Sequence, residues 1–529
     1  MNSYPISRFS TYSHKGMVAT SQSSAAAVGA HILSIGGNAI DAAVAMAASL
    51  TVVEPTCNGL GSDAFALIYS DNRLHGLNAS GHAPLSVSRE KILDRGFTQM
   101  PLFGLESVTV PGAVSGWAQM IKRFGNLSFS EVLQPAIELA RNGFSVSKNL
   151  SLLWKTAFDH FSENLSGDLY KPWFDTFAPL NRSPKVGEVV TSPFHAHTLE
   201  LIAHSHGEAF YQGELAEKIA SFSRKHDGFL SLEDLQKYEA QWVDPIKVEY
   251  RSHQVWEIPP NGQGISALMS LQMLNEFESL DREDELSVHR IIEATKLAMS
   301  DVATHVTDPR YMRVSTDHLL SPSYAKERVQ LIGEKAIEPS AGEPTKGGTV
   351  YLATADKWGN MVSFIQSNYE GFGSAVVIPE TGIAMQNRGN NFSLEKDHVN
   401  CIAPNKKTYH TIIPGFITKD DAPVGPFGVM GGFNQPQGHV QVVVNTLDNK
   451  LDPQAALDAP RWRWLEKKRV LVEPSFNPQV ISALKERGHD IEISDDYELY
   501  GRGQIIFKEN QSLVGGCESR TDSLIALEH

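Results

Sequence analysis

Lys346-Gly347-Gly348-Thr349-Val350-Tyr351-Leu352-Ala353-Thr354-Ala355-Asp356 is the stretch on which the reading of this chain turns. An internal threonine hydroxyl is a poor nucleophile. A break between Gly348 and Thr349 would free the threonine α-amine, which could then act as its general base. Glycine at 348 leaves the preceding carbonyl unshielded by a side chain, which suits attack by the threonine's own hydroxyl. Gly-Gly-Thr before a strand also reads as an ordinary turn. Residues 349–355 alternate and are rich in β-formers, which predicts a strand. Asp356-Lys357-Trp358-Gly359-Asn360 predicts a turn, and residues 361–367 a second strand. In a hairpin closed at that turn, Thr349 lies opposite Gln366, Ser367 and Asn368, with Ser367 at the centre. A hydroxyl there could orient the Thr349 hydroxyl, or be part of a polar hairpin face.

Downstream runs Gly428-Val429-Met430-Gly431-Gly432-Phe433-Asn434-Gln435-Pro436-Gln437-Gly438-His439. Adjacent glycines let backbone N–H groups converge on one point, as an oxyanion hole requires. A Gly-Gly pair also makes turns. The run matches neither G-x-G-x-x-G nor G-x-x-x-x-G-K-[ST], the phosphate-loop patterns.

Further blocks follow in order along nearly the whole chain. Early ones are Gly36-Gly37-Asn38-Ala39-Ile40-Asp41-Ala42-Ala43, Val53-Glu54-Pro55, Gly59-Leu60-Gly61 and Val110-Pro111-Gly112-Ala113. Then come Pro259-Pro260-Asn261-Gly262-Gln263-Gly264, Asp308-Pro309, Gly371-Phe372-Gly373-Ser374, Thr381-Gly382-Ile383 and Ala459-Pro460-Arg461. With these blocks the chain resembles the γ-glutamyltranspeptidase family of N-terminal-nucleophile hydrolases, which includes some cephalosporin acylases. The resemblance implies an α+β fold, a four-layer αββα sandwich with a helix-rich large subunit. It implies self-cleavage between Gly348 and Thr349 into segments 1–348 and 349–529, intertwined in one core. Thr349 would form an acyl-enzyme from an amide or peptide substrate, a glutathione-like γ-glutamyl amide in the family's commonest use. Gly431 and Gly432 would hold the oxyanion, and Ser367 matches the family's hydroxyl residue that aids processing. No cofactor is implied, and a homo-oligomer is left open.

The departures bear on the substrate. Where γ-glutamyl-specific members carry an arginine for the α-carboxylate, this chain has Ser80, in Ser80-Gly81-His82-Ala83-Pro84. The aspartate for the α-amino group becomes Asn391, in Gln386-Asn387-Arg388-Gly389-Asn390-Asn391-Phe392. The paired serines become His410 and Thr411, and an expected asparagine becomes Tyr369, next to Asn368. A neutral Asn391 cannot make a charge-assisted bond to an ammonium group, and loss of the arginine removes a bidentate fork. Arg388 is a new cation. It either binds an acyl-chain carboxylate, such as glutaryl, or makes a surface or inter-subunit salt bridge, the commoner use of such a residue. The stretch from 392 to 404 is short, which predicts a more open pocket and favours hydrolysis over transpeptidation. A glutaryl-type acylase and an unprocessed, non-catalytic homologue stand as alternatives.

Composition agrees with a globular enzyme. Forty-six Lys and Arg against 61 Asp and Glu give a net charge of −15, which argues against non-specific nucleic-acid binding. Cys57, Cys401 and Cys517 are too sparse for a disulfide framework and suit a reducing compartment. The N-terminus lacks an apolar signal-peptide core, and no run of about 18 apolar residues marks a membrane span. A cytoplasmic location is therefore expected. His195-Ala196-His197 and His204-Ser205-His206 hint at zinc, but no cysteine is near and the region reads as helix, so no metal is expected. No G-x-S-x-G elbow is present. Residues 24–34 and 39–50 predict alanine-rich helices separated by Gly36-Gly37, with Asn38 capping the second. Residues 286–305 predict a helix with Glu293 and Lys296 on neighbouring turns. Residues 338–348 predict an exposed linker.

Overall fold

The computed structural model describes residues 8–339 and 348–529. The expected linker thus lies largely outside the described residues. Two seven-stranded antiparallel sheets organise the chain. In the first, Gly348–Ala355 has Met17–Thr20 on one side and the central strand Met361–Tyr369 on the other, followed by Asp63–Ser70. The second runs from Thr11–Ser13 through Ser512–Cys517, Arg502–Glu509, Ala422–Met430 and Gly415–Lys419 to His253–Glu257 and Ile246–Tyr250. Each sheet takes strands from both sides of the Gly348–Thr349 bond, as Met17–Thr20 beside Gly348–Ala355 illustrates.

Strand alternation sorts the core. From Gly348–Ala355, Val350 and Leu352 join one apolar cluster with Val18, Ala66 and Phe364 and a set of helices. Tyr351, Ala353 and Ala355 face the other way, into a cluster with Phe65, Phe416, Met430 and Ile506. Those last three residues belong to, or adjoin, the second sheet. The opposite side of that sheet contributes Val255, Ile417, Val429 and Ile505 to a third cluster with further helices.

Local sequence explains the elements nearest the site. Helix Ser23–Ser34 ends before Gly36, whose φ of 101° suits a residue without Cβ. Asn38 and Asp41 then form a reciprocal capping box at the start of helix Ala39–Val53. Every residue of that helix is buried. Its alanines serve close packing: a Cβ placed on Gly29 would lie 2.3 Å from Met46 Sδ. Asp41 also accepts from Asn126 N and has a structural role.

The histidines singled out above point to different partners from and just beyond helix Pro193–His204. His195 is buried against Thr51 Oγ1 at 2.9 Å, and His197 lies beside Glu200. His204 Nδ1 meets the Glu200 carbonyl, while His206 stacks on Phe129. In helix Glu285–His305, Glu293 and Lys296 form a 2.7 Å ion pair with both side chains fully buried, a stronger constraint than the surface pairing their spacing suggests.

Candidate active site

Thr349 lies in strand Gly348–Ala355, and its side chain is fully buried. The hairpin pairs Val350 with Gln366 and Gly348 with Tyr369, with a register shift between them. That bulge lets Thr349 meet Ser367 rather than stand in simple cross-strand register. Thr349 Oγ1 donates to Ser367 Oγ at 3.1 Å, and Ser367 Oγ donates to Gly348 O at 2.8 Å. Tyr369 N donates to Ser367 Oγ at 2.7 Å, fixing the acceptor side of that hydroxyl. Ser367 therefore links the candidate nucleophile to the carbonyl it would attack. A Cβ on Gly348 would lie 3.3 Å from Thr56 O and 3.4 Å from Gly371 N, a tight but not prohibitive fit.

The hairpin's neighbour brings in a carboxylate. Ser367 pairs with Asp63 at the start of strand Asp63–Ser70. Asp63 is fully buried; His410 Nε2 donates to its Oδ2 at 3.1 Å and Gly81 N to its Oδ1 at 3.2 Å. Burial pushes the Asp63 carboxyl up to about 7, although the Arg388 charge opposes this. Burial, with Arg388 and Lys407 nearby, drives His410 well below the usual imidazole range, so it is neutral at pH 7. A neutral His410 with its proton on Nε2 leaves Nδ1 to accept from Ile412 N at 3.4 Å.

Arg388 is not a surface or inter-subunit salt-bridge residue, which corrects the commoner expectation. Its side chain is fully buried, and Nη1 donates to Thr411 Oγ1 at 2.6 Å. The guanidinium lies 4.7 Å over the Tyr369 ring. Among the described residues, Nε and Nη2 have no hydrogen-bond partner. Burial lowers its pKa to about 10, so it remains a cation at neutral pH.

The glycine pair follows strand Ala422–Met430. Gly431 and Gly432 have φ of 143° and 58°, the region that favours glycine. Gln263 ties this turn to the neighbouring segment: its Nε2 donates to Thr411 O at 2.6 Å and to Gly432 O at 2.9 Å. Tyr409 OH donates to Gln263 Oε1 at 2.8 Å, and the Tyr409 ring stacks on Phe433. A continuous set of contacts thus runs from Thr349 through Ser367, Tyr369, Arg388 and Thr411 to Gly432.

The other expected residues separate. Asn391 is half-buried and donates to Tyr409 O at 3.3 Å. Ser80 is buried in an amide cluster, donating to Asn78 Oδ1 at 2.7 Å and accepting from Asn261 Nδ2 at 3.2 Å. The short stretch 392–404, expected to leave a more open pocket, is itself well packed. Phe392, Leu394 and Ile402 pack into an apolar cluster with Ala83, Val87, Ile92 and Phe229. Lys406 Nζ pins the stretch through the Val399 and Cys401 carbonyls.

Sequence reasoning missed Asp63 and Gln263. Asp63 stands two residues past the quoted Gly59-Leu60-Gly61 block, and a carboxylate opening a strand of apolar residues was the available signal. Gln263 was inside a quoted block, but nothing local showed that its amide would bridge two distant turns.

The gamma-glutamyltranspeptidase family matches residues 25–527. The chain belongs to that family. It is 36% identical over 528 residues to the glutathione hydrolase-like YwrD proenzyme of Bacillus subtilis, covering 96% of this chain and 97% of the relative. It is 32% identical to the oxamate amidohydrolase proenzyme of Klebsiella pneumoniae, covering 94% and 95%. The crystal structure of cephalosporin acylase from Bacillus halodurans superposes with a TM-score of 0.97 at 54% identity, covering 100% of this chain and 98% of that one. This member of the γ-glutamyltranspeptidase family is therefore an enzyme of the N-terminal-nucleophile hydrolase type, with that fold's mixture of helices and sheets.

Proposed function

We propose that this chain is a self-processing amidohydrolase that cleaves γ-glutamyl-type amide bonds through Thr349. The observation that carries the reading is the Thr349–Ser367–Gly348 relay, with its 3.1 Å and 2.8 Å bonds. In processing, Thr349 Oγ1 attacks the Gly348 carbonyl carbon and its proton passes to the departing Thr349 nitrogen. Water then hydrolyses the resulting ester, giving a Gly348 carboxylate and a free Thr349 amine. Ser367, by donating to Gly348 O, polarises that carbonyl. In turnover the new amine takes the hydroxyl proton, Thr349 bonds to the acyl carbon, and the amine product leaves with a proton. Gly431 and Gly432 N–H groups stabilise the oxyanion, and water releases the acyl group.

Arg388 gives the acyl chain a carboxylate anchor, since a buried cation with two nitrogens, Nε and Nη2, unpartnered among the described residues strongly favours an anion. Tyr369 and Thr411 hold it in place, and His410 orders the wall beside it. A glutaryl-type acylase is the second reading. It is favoured by the neutral Asn391, whose amide is already engaged with Tyr409 O. The family relatives, whose names span glutathione hydrolase-like and cephalosporin acylase activities, support both readings.

The subunits are 1–348 and 349–529, sharing one four-layer αββα core; the three apolar clusters on either side of and between the two sheets support that layering. Three free thiols support a cytoplasmic location. Intact-mass spectrometry of the purified protein tests the central claim. Two chains meeting at Gly348/Thr349, and one chain in Thr349→Ala, are expected. A wild-type chain that stays whole would leave a non-catalytic homologue.

A further inference from the structure

A second cation faces a cavity that the mechanism above does not use. The cavity holds about 500 Å³ and is lined by Asn78, His82, Tyr238, Asn261, Arg310 and Lys407, among others. Its wall is tied to the site through the backbone, because Lys407 begins the segment that continues through Tyr409 and His410 to Thr411. His82 and Lys407 form a β-bridge, and His410 forms another with Gly262. These bridges fix where the Lys407 side chain emerges.

The charges around Lys407 are unequal in their commitments. Asp308 accepts from the Arg310 side chain at 2.6 Å and from Lys407 N at 2.9 Å. Glu239, also on the wall, accepts from Gln119 Nε2 at 2.6 Å. Asp63 is engaged by His410 and Gly81. Lys237 pairs with Glu233 at 2.5 Å. Among the described residues, the Lys407 ammonium, by contrast, donates hydrogen bonds only to two neutral amide oxygens, Asn78 Oδ1 and Gln241 Oε1, each at 3.3 Å, with the Asp63 and Asp308 charges acting on it without a direct bond. Both are at the long end for a charged donor, and an ammonium carries three N–H groups. Burial lowers its pKa to about 8, so it is mostly charged at neutral pH.

We infer that this cavity is a carboxylate-binding subsite for the amide substrate, with Lys407 as its cation. The inference rests on the amidohydrolase reading for the identity of the ligand, but not for the existence of the subsite. Arg388 and Lys407 both lie near the Asp63–His410 pair, since both charges act on each member of it. The protein therefore offers two separate cations, which fits substrates carrying a carboxylate on the acyl group, on the amine, or on both.

The experiment compares wild type, Lys407→Met and Lys407→Arg with three substrates: butyryl p-nitroanilide, glutaryl p-nitroanilide and N-butyrylglycine. Glutarate, which carries no amide to cleave, is also titrated calorimetrically into the wild-type protein and into Lys407→Met. The expected result is a rise of about tenfold or more in KM for one carboxylated substrate in Lys407→Met. The neutral anilide should keep its KM, kcat should stay within about twofold, and Lys407→Arg should recover most of the loss. A selective effect on the glutaryl anilide assigns the acyl side, and one on N-butyrylglycine the amine side. The titration should show a matching loss of affinity. Equal effects on charged and neutral substrates, or a glutarate affinity unchanged by Lys407→Met together with unchanged KM values, would overturn the subsite. Probe binding that depends on Lys407 in a protein that hydrolyses none of the three, nor γ-glutamyl p-nitroanilide, would uphold the subsite and reject the amidohydrolase reading instead.

Discussion

Thr349 Oγ1 and Ser367 Oγ are 3.1 Å apart, and the serine hydrogen is directed onward to the Gly348 carbonyl at 2.8 Å. One hydroxyl therefore touches both the attacking atom and the group under attack. Tyr369 N supplies a further donor to the same oxygen, so Ser367 has a defined direction of donation.

Ser367→Ala should slow self-cleavage without abolishing it. Losing one oriented hydroxyl in a buried site costs roughly 1.5–3 kcal/mol, or about 10- to 100-fold in rate. Ser367→Thr should process at close to the wild-type rate, and Thr349→Ala not at all. A gel time course of freshly purified precursor reads all three. Wild-type kinetics in Ser367→Ala would remove the relay from the mechanism.

Arg388 makes a prediction about substrate charge. In Arg388→Met, KM for glutaryl p-nitroanilide should rise about tenfold or more, while that for the butyryl anilide changes little. Arg388→Lys should recover only part of the loss, because an ammonium replaces neither the planar fork nor its stacking on Tyr369. An unchanged KM for the glutaryl substrate would return Arg388 to a purely structural role.

The glycine pair should be sensitive in turnover. At Gly431, φ is 143° and a Cβ would stand 3.2 Å from Gly501 Cα. Gly431→Ala should therefore shift the backbone N–H groups, lowering kcat of the processed enzyme by about 10²–10³ if they serve the oxyanion. The accompanying stability loss should be about 1–3 kcal/mol. Steady-state kinetics beside a thermal melt separates the two effects, and a normal kcat would move the oxyanion hole elsewhere.

These sites were unequally legible in the sequence. The hairpin could be read because strand alternation and a compact turn are local properties, and they placed Ser367 opposite Thr349. The bulge between Gly348 and Val350, which brings the hydroxyls together, could not, since register irregularities depend on both strands. Arg388 was visible as a residue out of pattern. Its complete burial was not, because burial of a cation depends on Tyr369, Thr411 and Asp63, which come from three other parts of the chain. Lys407 is a similar case: as one of two adjacent lysines it looks like a solvated charge, and only the folded His82–Lys407 bridge turns it towards a cavity.

The Glu293–Lys296 pair predicts a large, partner-dependent stability effect. Both side chains are fully buried 2.7 Å apart, and Ile337 N also donates to Glu293 Oε2. Lys296→Met leaves a buried carboxylate without its cation and should cost about 3–5 kcal/mol. Glu293→Leu combined with Lys296→Met should recover part of this, although the Ile337 N–H then lacks its acceptor. Denaturant unfolding of Thr349→Ala protein avoids complications from processing. A loss below about 1 kcal/mol in Lys296→Met would mean that water reaches the pair.

Asp63 predicts a pH dependence with a definite sign. Its carboxyl sits at about 7 in the folded chain, against 3.8 for the ordinary group. Between those values the folded state binds more protons than the unfolded state, so this group's contribution to stability falls as pH rises from about 4 to 7 and is flat above. Asp63→Asn removes the titration while keeping an oxygen for His410. Loss of the charge beside Arg388 adds an offset to the variant, but the offset hardly varies across that window, where Arg388 stays protonated. The difference in unfolding free energy should therefore move in favour of Asp63→Asn by on the order of 1–3 kcal/mol between pH 4.5 and 7.5. Urea unfolding of the two proteins in a Thr349→Ala background at several pH values measures it. Parallel curves would show that Asp63 keeps an ordinary carboxylate pKa, and that Arg388 faces a full negative charge throughout.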